Sequence, residues 1–173
     1  MVRPLDVLFL CNGNSARSIL AEALLAELGG SDLRGFSAGA APAGEVHPMA
    51  LEVLAAEGLP VAGLRSKSWD EFAAPGAPEV DVVVTLCDQA AAETCPLWPG
   101  APLRAHWSLP DPAKVEGDQA ARRQAFRDSY ETLHRLIGRL TQTARTARDR
   151  ETLAAGLAAI GPEADRAGAA HGG

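Results

Sequence analysis

The segment Cys11-Asn12-Gly13-Asn14-Ser15-Ala16-Arg17-Ser18 restricts the fold of this chain more than any other stretch. It follows a short apolar run, residues 5–10, and precedes Ile19, Leu20, Ala23, Leu24 and Leu28 at helical spacing, with Glu22 and Glu27 off that stripe. An apolar run of that length bounded by turn residues predicts a buried strand of a parallel sheet. Gly29-Gly30 stands where a helix should stop. Strand, tight loop and helix therefore open the chain. A helix N-terminus offers unpaired N–H groups and a partial positive charge, and a loop wrapped over it cradles an oxyanion. Gly13 permits the tight turn, and asparagine tolerates the left-handed conformation such loops need. Arg17 can grip two oxygens of the anion with its planar fork. The same positive field favours the thiolate of Cys11, and Ser18 can donate a hydrogen bond to it. The plain alternative is a buried cysteine beside a surface arginine. The asparagines, glycine and serines filling the Cys-to-Arg spacing favour the anion cradle.

Downstream, strands are expected at residues 33–39, 80–86 and 103–107. Helices are expected at 48–57, 119–140 and 150–160, with a short capped turn at 68–72. Strands alternating with helices imply a parallel α/β sheet. Residues 162–173 carry Ala, Gly and charge with no apolar stripe, and are expected to fray. The 173 residues suit one domain. The 16 basic and 22 acidic side chains give a net charge of −6, with no basic stripe, so nucleic acid is not an expected partner. No apolar run approaches the roughly 20 residues that span a bilayer, and Asp6 interrupts the start where a leader would be apolar. A cytoplasmic monomer is the expectation. Three cysteines are an odd count, too few for a disulfide framework, and Cys87, Cys95 and His106 fit no zinc spacing. They raise a question of thiol chemistry.

At this point the residues resemble a known family. The Cys11–Ser18 loop after an apolar strand resembles the phosphate loop of the low-molecular-weight protein tyrosine phosphatases, whose fold the thiol-dependent arsenate reductases share. The resemblance implies a three-layer α/β fold, a four-stranded parallel sheet with helices on both faces. It implies a domain over residues 1–145, leaving a helical extension at 146–161 and a flexible tail at 162–173. The family carries an Asp-Pro on a late loop, matched by Asp111-Pro112, whose carboxyl protonates the departing oxygen. Alone, Asp-Pro reads as a turn. The phosphatases follow this aspartate with aromatic residues and tend to place a backup cysteine inside the loop. Here Ala113 and Lys114 follow it, and Ala16 occupies the loop position.

Cys87 ends the most β-branched strand, and strand C-termini share the edge where ligands bind. Thr85-Leu86-Cys87, a spacer, Cys95-Pro96, then His106-Trp107 and Asp111-Pro112 resemble the three-cysteine arsenate reductases. That resemblance implies a relay: Cys11 attacks arsenate, Cys87 resolves the adduct, and Cys95 passes the disulfide outward. It also implies an external thiol reductant, thioredoxin before glutaredoxin or a small thiol, and potassium at Asn14, Glu22, Ser37 and Asp70. A helical spacer would hold Cys87 and Cys95 about 12 Å apart, whereas a disulfide needs about 4.4–6.8 Å between Cα atoms. The spacer must therefore unwind during turnover. An aryl-phosphate phosphatase is the alternative enzyme, and an oxyanion-binding redox sensor the alternative without turnover.

Overall fold

A computed structural model describes residues 3–87 and 100–171. Four parallel strands form one sheet in the order β2-β1-β3-β4, with β1 at Leu5–Cys11, β2 at Leu33–Gly39, β3 at Val82–Thr85 and β4 at Leu103–His106. β3 is shorter than its apolar run. Its ladder nevertheless continues at both ends, since the Asp81 N–H donates to Asp6 O and the Leu86 N–H to Leu10 O. Val7, Leu8, Phe9 and Leu10 are fully buried, as are Val82, Val83 and Val84. Successive strand residues point to opposite faces, so both faces are covered around β1 and β3. β4 alternates between half-buried and exposed positions, as an edge strand does.

Helix α1 spans Arg17–Leu28, α2 Pro48–Ala56, α3 Gln119–Thr146 and α4 Arg150–His171. Phe126, Leu133, Leu136, Ile137 and Leu140 form the buried stripe of α3, against which α1, α2 and α4 all pack. Trp107 is completely buried, its ring 6.1 Å from that of Phe9. Asp6 is buried too, and a bidentate pair with Arg34 (2.7 and 2.6 Å) satisfies it.

One expectation needs correction. Residues 162–173 were expected to fray, yet α4 runs through Pro162 to His171. Leu157, Ile160, Ala164 and Ala167 are buried along it. The stripe escapes notice because it is built largely of alanine, which lets the helix lie close to α3 and β4. A Cβ at Gly161 would stand 3.3 Å from the His106 carbonyl. His47 caps α2, its Nδ1 accepting from the Met49 N–H at 3.1 Å.

Candidate active site

Strand order 2-1-3-4 reverses direction between β1 and β3, and the crevice past the strand ends at such a point is where open α/β sheets bind ligands. Cys11 is the last residue of β1, and Cys87 lies two residues beyond β3. Both are buried, at 3% and 8% exposure. They line one cavity of about 400 Å³ together with Arg17, Ser108, Asp111, Lys114 and the loop residues Asn12, Gly13, Ser15 and Ala16. The fold thus brings Cys11, Arg17, Cys87 and Asp111 to a single space. Cys95 lies outside the described residues.

The loop is held from behind by its carbonyls. Asn12 O accepts from Ala41 N–H, Gly13 O from Ala43 N–H and Ser66 Oγ, and Ser15 O from His47 N–H. In a trans peptide the N–H points opposite to the carbonyl, so outward carbonyls turn amides of this loop toward the cavity. No side chain caps α1, whose N-cap is Ala16. Its first amides and its positive end are left to serve an anion. Gly39 permits this arrangement, since a Cβ there would sit 2.6 Å from Asn12 O and 3.0 Å from Asn14 N.

A hydrogen-bond chain ends on Cys11. Asn14 is fully buried with φ of 46°, and its Oδ1 accepts from the Lys67 N–H at 2.8 Å. That contact orients the amide so that Nδ2 donates to Ser18 Oγ at 2.8 Å. Ser18 Oγ lies 2.8 Å from Cys11 Sγ. With its oxygen held by Asn14, Ser18 keeps one hydroxyl proton that it can donate to the sulfur when Cys11 is a thiolate.

Arg17 is 8% exposed. One Nη donates to Leu109 O at 2.9 Å, and the other stands 3.4 Å from Asp111 Oδ2. Its Nε is buried with no hydrogen-bond partner among the described residues. An unpaired buried donor is costly, and an oxyanion in the cavity would satisfy it. Asp111 Oδ1 accepts from Ala113 N–H at 2.9 Å, capping the short 3-10 turn Pro112–Lys114. That bond fixes its carboxyl at the cavity wall. Lys114 adds positive charge there, and no aromatic wall follows Asp111.

The potassium expectation does not fit. Lys67 sends its ammonium to the group the ion would use, 3.6 Å from Glu22 Oε1, 3.3 Å from Ser37 Oγ and 3.0 Å from Arg65 O. Asn14 meets the Lys67 backbone instead, and Asp70 is exposed at the start of the 3-10 turn Trp69–Phe72. Burial pushes the Glu22 carboxyl up and the Lys67 ammonium down, while each draws the other back toward its charged form. Lys67, Ser66, Gly39 and His47 brace the loop, yet nothing in their spacing marks them. They come from segments that only the folded sheet brings beside it.

Residues 6–151 match the family described as low molecular weight phosphotyrosine protein phosphatase. An arsenate reductase of Halalkalibacterium halodurans is 33% identical over 139 residues, 80% of this chain and 96% of that protein. One of Bacillus licheniformis is 32% identical over 137 residues, 79% and 95% of the two chains. Among solved structures, an arsenate reductase from Archaeoglobus fulgidus matches with a TM-score of 0.56 and 30% identity, over 76% of this chain and 98% of that one. A thioredoxin-dependent arsenate reductase of Corynebacterium glutamicum matches with a TM-score of 0.61 and 26% identity, over 83% of this chain. This chain spans 63% of that protein. With the loop, its bracing and the matched span in agreement, the chain belongs to the low molecular weight phosphotyrosine protein phosphatase family.

Proposed function

We propose that this protein is an enzyme that reduces arsenate to arsenite through a cysteine relay. The observation that carries the reading is the shared cavity of Cys11, Arg17, Cys87 and Asp111. Arsenate enters as a tetrahedral oxyanion and takes the loop amides and the Arg17 guanidinium. The Cys11 thiolate attacks arsenic, a sulfur–arsenic bond forms, and Asp111 gives its proton to the departing oxygen, which leaves as water. The Cys87 thiolate then attacks Cys11 Sγ. The sulfur–arsenic bond breaks, its electron pair stays with arsenic, and arsenite departs from a Cys11–Cys87 disulfide. Cys95 attacks Cys87, which releases the Cys11 thiolate and moves the disulfide to Cys87–Cys95. An external dithiol of the thioredoxin type, or a glutaredoxin or small thiol, returns the pair to thiols. The arsenate reductases among the relatives support this reading. So does Lys114 in the place of an aromatic wall.

The test is arsenate-dependent NADPH oxidation with thioredoxin and its reductase supplied, for wild type and Cys11→Ser, Cys87→Ser and Cys95→Ser. Loss of turnover in all three is the expected result. Turnover that survives Cys95→Ser would mean a donor that attacks Cys87 directly. Aryl-phosphate hydrolysis that needs Cys11 alone, without arsenite from any thiol donor, would overturn the reductase reading in favour of a phosphatase.

A further inference from the structure

Lys67 is 8% exposed, and its ammonium reaches three oxygens from three segments: Glu22 on α1, Ser37 on β2 and the Arg65 carbonyl. A carboxylate, a hydroxyl and a carbonyl converging on one positive centre are the donors that a hard monovalent cation selects. Only two of the 16 basic residues are lysines. An ammonium is a compact point charge, whereas a guanidinium is a wide planar fork. At this position the chain uses the side chain closest in shape and charge to a bound ion. The same residue's N–H holds Asn14 Oδ1, the first link of the chain through Ser18 to Cys11.

We propose that Lys67 is a tethered cation that replaces a bound potassium ion, so that the nucleophile's hydrogen-bond chain is ordered without added metal. Lys67 touches neither substrate nor sulfur. It is a positioning residue: its ammonium neutralises the half-buried Glu22 carboxylate, ties α1 to β2 beneath the loop, and keeps residues 65–67 where the Lys67 N–H meets Asn14. Glu22 without a countercharge would be a half-buried, unpaired carboxylate, which is unfavourable.

The test uses the full chain carrying Cys87→Ser and Cys95→Ser, which leaves Cys11 as its one thiol. The rate of Cys11 alkylation by iodoacetamide is read in potassium chloride and in tetramethylammonium chloride at equal ionic strength. This readout needs no arsenate, so it stands or falls apart from the reductase reading. With Lys67 present, the two salts are expected to give the same rate. Lys67→Ala vacates the ammonium's place, and the rate in tetramethylammonium is expected to fall about ten-fold, the size of one hydrogen bond to a charged group. Potassium restores it. Lys67→Met fills the volume without charge, and is expected to be slow in both salts. Folding of Lys67→Ala in potassium alone, followed by circular dichroism, would support the proposal equally. A parent protein accelerated by potassium would overturn it. So would a Lys67→Ala protein that keeps its rate in tetramethylammonium, is equally slow in both salts, or fails to fold in either.

Discussion

Ser18 shows how one side chain acquires its role from its neighbours. Its oxygen accepts from Asn14, and its one proton is in reach of a Cys11 thiolate at 2.8 Å. A hydrogen bond to a charged group contributes about 1.5–3 kcal/mol. Ser18→Ala is therefore expected to slow reaction of Cys11 by roughly ten- to a hundred-fold, read by iodoacetamide alkylation. His47 carries a pH dependence. Burial first, then the nearby Arg122, hold its imidazole below the ordinary 6.5, with Asp111 opposing them. Between its folded value and 6.5 the unfolded chain binds more protons, so stability rises with pH in that window. The contribution is complete above 6.5 and is lost as the pH falls through the folded value. Protonation of Nδ1 would also remove the acceptor that caps α2. Asparagine caps helices but does not titrate. The loss of thermal stability between about pH 7.5 and 5.5 is expected to be smaller in His47→Asn than in wild type.

At the scale of elements, the β2 terminus and the active-site loop press together at Gly39. A methyl there would collide with the Asn12 carbonyl, so the loop must move. Gly39→Ala is expected to lower affinity for phosphate, read by calorimetric titration, more than it lowers thermal stability. The loop amides lose their aim while the apolar core is unchanged. Helix α4 raises a different issue, because almost all of it lies beyond the residues matched to the family. Ile160 is fully buried on it. Ile160→Ala is expected to cost about 2–5 kcal/mol in urea denaturation. Ala167, near its end, lines a small cavity with Leu109 and Asp111. The helix therefore reaches the far side of the loop that carries Asp111.

For the molecule as a whole, the cavity at the sheet's switch point should bind an anion and report it globally. A ligand bound only by the folded state adds about 2.7 kcal/mol of stability at a hundred times its dissociation constant. Phosphate or arsenate is expected to raise the melting temperature of wild type. It should leave that of Arg17→Ala unchanged, since that variant loses the guanidinium and its unpaired Nε. Chloride at the same ionic strength should raise neither, because it cannot bridge several amides and a fork at once. Among the described residues, no helix is long and apolar enough to cross a membrane.

The sequence by itself determined the strand, loop and helix that begin the chain. It also determined the alternation of apolar runs with helical stripes that implies a parallel sheet, and it marked Cys11, Arg17 and Asp111 as candidate site residues. These are local signals: an apolar run ending in turn residues, a helical stripe, and residue types spaced to surround an anion. The tertiary structure decided what supports them. Lys67 and Glu22 are far apart in the chain, and only α1, β2 and the 65–68 segment packing together turn them into an ion pair beneath the loop. Likewise Gly39 meets Asn12, His47 holds Ser15, and an alanine stripe on α4 becomes an interior face. The physical reason is range. Periodicity and turn chemistry act over a few residues, whereas a countercharge or a close backbone approach depends on which distant segments the fold sets side by side.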